Sequence, residues 1–291
     1  MKKIKKLFGE INLTWTKLII YGIIAGVYTA IMSLIPVLKD TSFHDIAVTF
    51  EVWILFGIII IMNSKSAGDS ALKCFVFFLI SQPLVYAIQV PFNNLGFGIF
   101  GYYKYWFIWT ILTIPMGFIG YYIKRDKWWG MLILMPMILF LGVGSYYVYL
   151  QETIFNFPYH LLTTVFCAIT MLLYPVCVFK NKKNKVISFT ISTLIIIVLT
   201  ILAFANRKIY NATLIASGSI ENVTFDENCN VYLEKDLGEV YIKYEEGIED
   251  YLIEGNFRKA GKTNLILIDE NDNKTVFEID IKNDTCSVNK K

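Results

Sequence analysis

The chain has 291 residues, of which 55% are hydrophobic and 16% aromatic, an apolar share above that of ordinary soluble domains. Its net charge of +3 hides an asymmetry: residues 1–206 carry 16 Lys/Arg against 7 Asp/Glu, whereas residues 207–291 carry 11 against 17. The basic surplus sits in short segments between apolar runs, the pattern of membrane-flanking lysines, which argues against nucleic acid as a partner.

MKKIKK opens the chain with four lysines, and Lys17 precedes the first apolar run. Seven runs follow, at about 18–38, 46–62, 72–90, 105–123, 128–150, 157–179 and 186–205. Each has the roughly 17–23 residues that a helix needs to span a bilayer. The first lacks a small-residue cleavage site, so it reads as an uncleaved first helix. The last is the clearest, because the lysines at 180, 182, 183 and 185 lead into about 20 residues without a charge. With seven crossings and a cytoplasmic N-terminus, 14 basic residues of the first 206 fall inside and 2 outside, Lys39 and Lys104. Removing one crossing puts basic clusters on the wrong side. The expected fold is therefore a seven-helix multi-pass bundle over 1–206, in the plasma membrane of a bacterium, with the C-terminus outside. Tyr102, Tyr103, Tyr105 and Trp106, and Tyr121, Tyr122, Trp128 and Trp129, read as interfacial belts.

Inside the runs, Gly22, Gly26 and Ala30 make a small-residue ridge. Another helix can approach it closely, either from this chain or from a membrane-protein partner. Pro83, Pro115, Pro136 and Pro175 predict bends in four helices. Glu51, Gln82, Gln89, His44 and His160 gather toward the outer ends of the runs and form a candidate substrate-binding set, since ionisable groups in spans mark pathways or sites. The bland alternative places Glu51, His44 and His160 at headgroup depth, solvated by water. His44, His160 and Glu51 also make a weak zinc set without helical H-E-x-x-H spacing.

Residues 207–291 change character. Stretches at 231–233, 239–244, 264–268 and 275–281 alternate apolar and polar residues between Asn-, Asp- and Gly-rich turns, predicting a small extracytoplasmic all-β, sandwich-like domain. Asp226/Asn228/Asn230 and Asp269/Asn271/Asn273 share a D-x-N-x-N spacing that begins calcium loops, although Lys274 stands where the loop needs glycine. The same residues favour tight turns. Cys229 and Cys286 are a candidate disulfide in an oxidising compartment. The closing hairpin, residues 259–281, resembles the last strands of bacterial immunoglobulin-like domains, though the tail has no Trp.

No G-x-S-x-G, P-loop or C-x-x-C occurs, and two histidines are too few for a haem or multi-metal centre, so no cofactor is expected. The leading expectation is a non-enzymatic membrane module whose outer β domain binds or senses a surface partner while the bundle anchors or relays. The first six runs resemble the substrate-capture subunit of energy-coupling-factor vitamin transporters in helix number and in the Gly22/Gly26/Ala30 ridge. That resemblance implies an alternative, a transporter with an outward-facing pocket. An intramembrane enzyme acting on lipid or peptide is the third reading.

Overall fold

The computed structural model describes residues 6–39, 41–220, 223–247, 249–282 and 285–291; Lys2, Lys3 and Lys5 of the basic N-terminus lie outside them. The chain divides into two compact units, Met1–Tyr149 with His160–Ile201, and Leu150–Tyr159 with Leu202–Lys291.

The first unit is helical. Its elements are α1 (Trp15–Leu34), α2 (Ser42–Val48), α3 (Phe50–Asn63), α4 (Ala67–Gln89), α5 (Phe100–Gly120) and α6 (Gly130–Leu141). A π-helical turn, Gly142–Tyr146, joins α6 to α7 (Tyr147–Phe155), followed by α8 (Leu161–Val178) and α9 (Lys182–Ala205), though α7 from Leu150 and α9 from Leu202 belong to the second unit. Among the described residues, six helical stretches are long and apolar enough to cross a membrane, and α2 with α3 adds a seventh if that bent pair is one span. The sequence predicts one run over 46–62, whereas the structure bends there by 44°. Thr49 causes the break: its backbone is extended (φ −88°, ψ −178°), and its hydroxyl meets both the Asp45 carbonyl and the Glu51 carboxylate. A residue that caps one helix and bonds its own neighbours competes with the helical ladder.

Helix α4 lies between α1 and α5, and small residues make both crossings close. A Cβ on Gly26 would stand 2.7 Å from the Ser81 carbonyl oxygen of α4, and one on Gly117 would stand 3.0 Å from that of Ser70. Gly22 and Gly26 of the small-residue ridge thus pack against α4 of the same chain, the internal one of the two partners the sequence allows. The four prolines lie inside α4, α5, α6 and α8, as expected.

Hydrogen bonds sort the connecting segments into two ends. At one end, Asn63 binds Leu7 and Ile11, the Tyr121 hydroxyl donates to the Lys65 carbonyl (2.7 Å), and the Lys124 ammonium donates to that of Ser64 (2.6 Å). There too, the Asp126 carboxylate accepts from the Lys180 and Asn181 amides. At the other end, Gln89 donates to Ser33 and Thr29 to the Ala47 carbonyl. The pair α2–α3 runs from the second end to the first.

The described residues of the second unit form seven strands: β1 (Tyr210–Ala216), β2 (Asn230–Leu233), β3 (Gly238–Glu245), β4 (Asp250–Phe257), β5 (Gly261–Ile268), β6 (Lys274–Ile281) and β7 (Cys286–Lys290). They form two antiparallel sheets, ordered β1-β4-β3 and β2-β5-β6-β7. In β6 the alternation is strict, with Phe277, Ile279 and Ile281 buried and Glu278 and Asp280 between them. Both sheets share one core, including Ile253, Phe257, Leu265, Phe277 and Ile279, and Phe155 of α7 joins it. The Phe257 ring lies across Gly255, where a Cβ would come within 2.5 Å of it, and Tyr210 stacks beside it at 6.4 Å. Cys229 and Cys286 are free thiols, so the expected staple is not made. The register explains why: Cys229 adjoins β2 at one sheet edge near Ile268, whereas Cys286 starts β7 at the other edge opposite Ile281, at the Gly261 end of β5.

Candidate functional site

Helix α8 is apolar in composition, yet its buried face carries Thr163, Thr164, Cys167, Thr170 and Tyr174, a stripe at helical spacing. His160 stands immediately before it with a left-handed backbone (φ 62°). The stripe meets α2 through a buried cluster. His160 Nδ1 is 2.7 Å from Asp45 Oδ2, and the two side chains are 7% and 8% exposed. The Thr163 hydroxyl donates to the same carboxylate oxygen at 2.9 Å, and its backbone amide donates to Ser42 Oγ at 3.2 Å. The Tyr149 ring stacks on the imidazole at 5.8 Å between centroids, 26° from parallel.

Glu51 joins from α3. It is 1% exposed; its Oε2 receives the Thr49 hydroxyl, and its Oε1 has no hydrogen-bond partner among the described residues. The Tyr149 hydroxyl interacts with the Thr49 side chain, and the charges of Glu51 and Asp45 reach Tyr149 and Cys167. Two carboxyls and an imidazole therefore share a dry site built from α2, α3, α7 and α8. Burying such groups is costly unless each finds a partner, which the hydrogen bonds to Thr49 and Thr163 and between Asp45 and His160 supply.

Of the residues singled out in the sequence, Glu51 and His160 enter this cluster. Gln89 instead ties α4 to α1 by donating to Ser33 (2.8 Å). Gln82 is buried on α4, its amide nitrogen without a hydrogen-bond partner among the described residues. His44 is half-buried on α2 beside Asp45. Asp45 was missed because it precedes the predicted run 46–62 by one residue; the Thr/Cys stripe on the sixth run was the available signal. Among the described residues, no three His, Cys, Asp or Glu side chains gather as a metal-holding group, so the zinc set is not assembled.

In the β unit, the two D-x-N-x-N turns use their leading carboxylates locally. Asp226 Oδ1 accepts from the Asn228 amide, and Asp269 Oδ1 accepts from the amides of Asn271 and Asn273. These are Asx turns. The outer face of β1-β4-β3 holds a groove of about 530 Å³, lined by Asn211, Thr213, Tyr241, Glu254 and Asn256. Tyr241 donates to Glu254 (3.0 Å), and that bond holds its phenol above the usual range.

No protein-family model, curated protein or solved structure matches the chain.

Proposed function

We propose that the chain is a non-enzymatic plasma-membrane protein of seven crossings, with its N-terminus inside and its β unit outside, where that unit binds a surface partner or ligand. The bundle anchors it and relays the binding event. The observation that carries this reading is the open, polar groove on the outer face of β1-β4-β3, whose lining offers amides, a carboxylate and an exposed phenol to a partner. The topology draws support from the hydrogen bonds that gather the segments at 7–11, 63–65, 121–126 and 180–184 at one end, all of which the positive-inside rule assigns to the cytoplasm. The two-sheet core is in keeping with an immunoglobulin-like domain as the finer description.

A second reading, a transporter or substrate-capture bundle, is favoured by one observation, the buried Oε1 of Glu51, which has no hydrogen-bond partner among the described residues. Two changes in the intact gene separate the readings. Loss of residues 207–291 should abolish a binding and relay function that Glu51→Gln spares; the reverse result would establish the transporter. Sidedness is read with membrane-impermeant maleimide on Lys259→Cys in a Cys229→Ser/Cys286→Ser background. Labelling of intact cells is expected, and labelling only after lysis would overturn the topology. The substituted cysteine is needed because burial pushes the Cys286 thiol up to about 11, leaving little thiolate near neutral pH.

A further inference from the structure

We propose that Lys65, Lys73, Lys124 and Lys180 form a seat for the phosphate of an anionic membrane lipid. The inference rests on the membrane reading above, but on a different part of the molecule. Four lysines come together there from three segments, residues 65–73, 124 and 180, and each segment is tied down. The turn before α4 is held on both sides: the Ser64 carbonyl accepts from Lys124 Nζ (2.6 Å) and the Lys65 carbonyl from the Tyr121 hydroxyl (2.7 Å). Asp69 Oδ2 accepts from the Lys65 amide and from Lys73 Nζ, each at 2.8 Å. The Lys180 backbone is fixed by its amide bond to Asp126 (3.0 Å). Lys124 lies within electrostatic reach of Lys73, Lys180 and the Asp69 carboxylate.

The Lys73 side chain is 3% exposed, so its charge is desolvated as well as crowded. Asp126, the nearby acid, is occupied by the amides of Lys180, Asn181 and Asn184. Like charges held together on a fixed scaffold repel, and Asp69 and Asp126 together still leave a surplus of cations among the four lysines. A phosphodiester anion has the charge and the acceptor oxygens to answer it, since each ammonium has three donors and Lys124 spends one on Ser64. The site is also fitted to a lipid rather than a soluble anion. Trp15, whose ring lies 5.8 Å from Lys73 Nζ, is 44% exposed, and Leu72 is 54% exposed, so apolar surface for an acyl chain adjoins the charge. Basic pockets between helices on the cytoplasmic side recognise headgroups by this chemistry.

The test uses the full chain in vesicles of phosphatidylcholine alone or with about one-fifth phosphatidylglycerol, a fraction large enough to saturate a headgroup site. The thermal midpoint is followed by tryptophan fluorescence. Phosphatidylglycerol should raise it by about 2–4 °C. Lys124→Gln with Lys180→Gln, which spares the buried Lys73, should remove at least half of that rise, whereas Lys259→Gln with Lys262→Gln should keep it. A full rise in the first double variant would overturn the proposal. So would an equal rise with inorganic phosphate in detergent, which would mark a soluble-anion site. Release of the wild type from vesicles by alkaline carbonate would sink the membrane reading and this one together; retention without a lipid effect would sink this one alone.

Discussion

The helical unit buries Asp45, Glu51, Lys73 and His160 and leaves Ile24, Leu132, Leu194 and Val198 open, whereas the β unit buries Phe257, Phe277 and Ile279 and turns Glu239 and Lys262 outward. The same alphabet is used in inverse senses. In water, large apolar side chains are the currency of a core, and the β unit follows that rule. In hydrocarbon, apolar surface gains nothing by hiding. Close backbone approach and satisfied polar groups hold helices together instead, as at Gly26 and at Asp45–His160. The contrast is itself support for two solvents along one chain.

The comparison breaks most readily in the β core. Phe257→Ala should cost about 3–5 kcal/mol and speed hydrogen exchange across β4, β5 and β6. All six tryptophans precede residue 130, so their fluorescence melt reports the helical unit. That melt should not move; a joint shift would mean that the units unfold together. Next in size, Asp45→Ala should cost about 3 kcal/mol, because Thr163 and His160 lose one buried acceptor. Asp45→Asn should recover part of it, and an unchanged melt would mean that water reaches the cluster.

Gly26→Ala should cost about 2 kcal/mol, since the added carbon meets backbone rather than a movable side chain. Gly57→Ala, facing open space, should be neutral or stabilising by up to about 1 kcal/mol. Equal melts for the two would remove the close crossing from the account. The smallest effect is a pH dependence in the β unit. Hydrogen bonds from Asn273 and Asn271 hold the Asp269 carboxyl below its ordinary 3.8. Because that pKa is depressed on folding, its contribution is complete above the ordinary carboxylate range and fades as pH falls through the lowered value. Asp269→Asn should flatten the acid limb of the exchange rates at 271 and 273.

The helices and four of the strands were legible because their signals are local: apolar length for the former, alternation for the latter. β1, β4 and β7 were not, since Gly255 and Asn256 interrupt the pattern in β4, and polar residues dominate β7. Within the site, Glu51 and His160 stood out as rare ionisable groups near spans. Asp45 did not, because its partner lies 115 positions away and only the fold joins them. The bend at Thr49 was equally hidden, since it arises from a side chain competing with the helical ladder rather than from Pro or Gly.

The π turn at Gly142–Tyr146 has one more consequence. It holds one residue more than a regular turn, and each residue advances an α-helix by about 100°. Leu134, Ile138 and Leu141 before it, and Tyr146 at its end, are all buried, and the extra residue brings Tyr146 onto their face. The turn thus acts as a spacer in angle rather than in length, setting the azimuth at which Tyr149 meets the imidazole of His160.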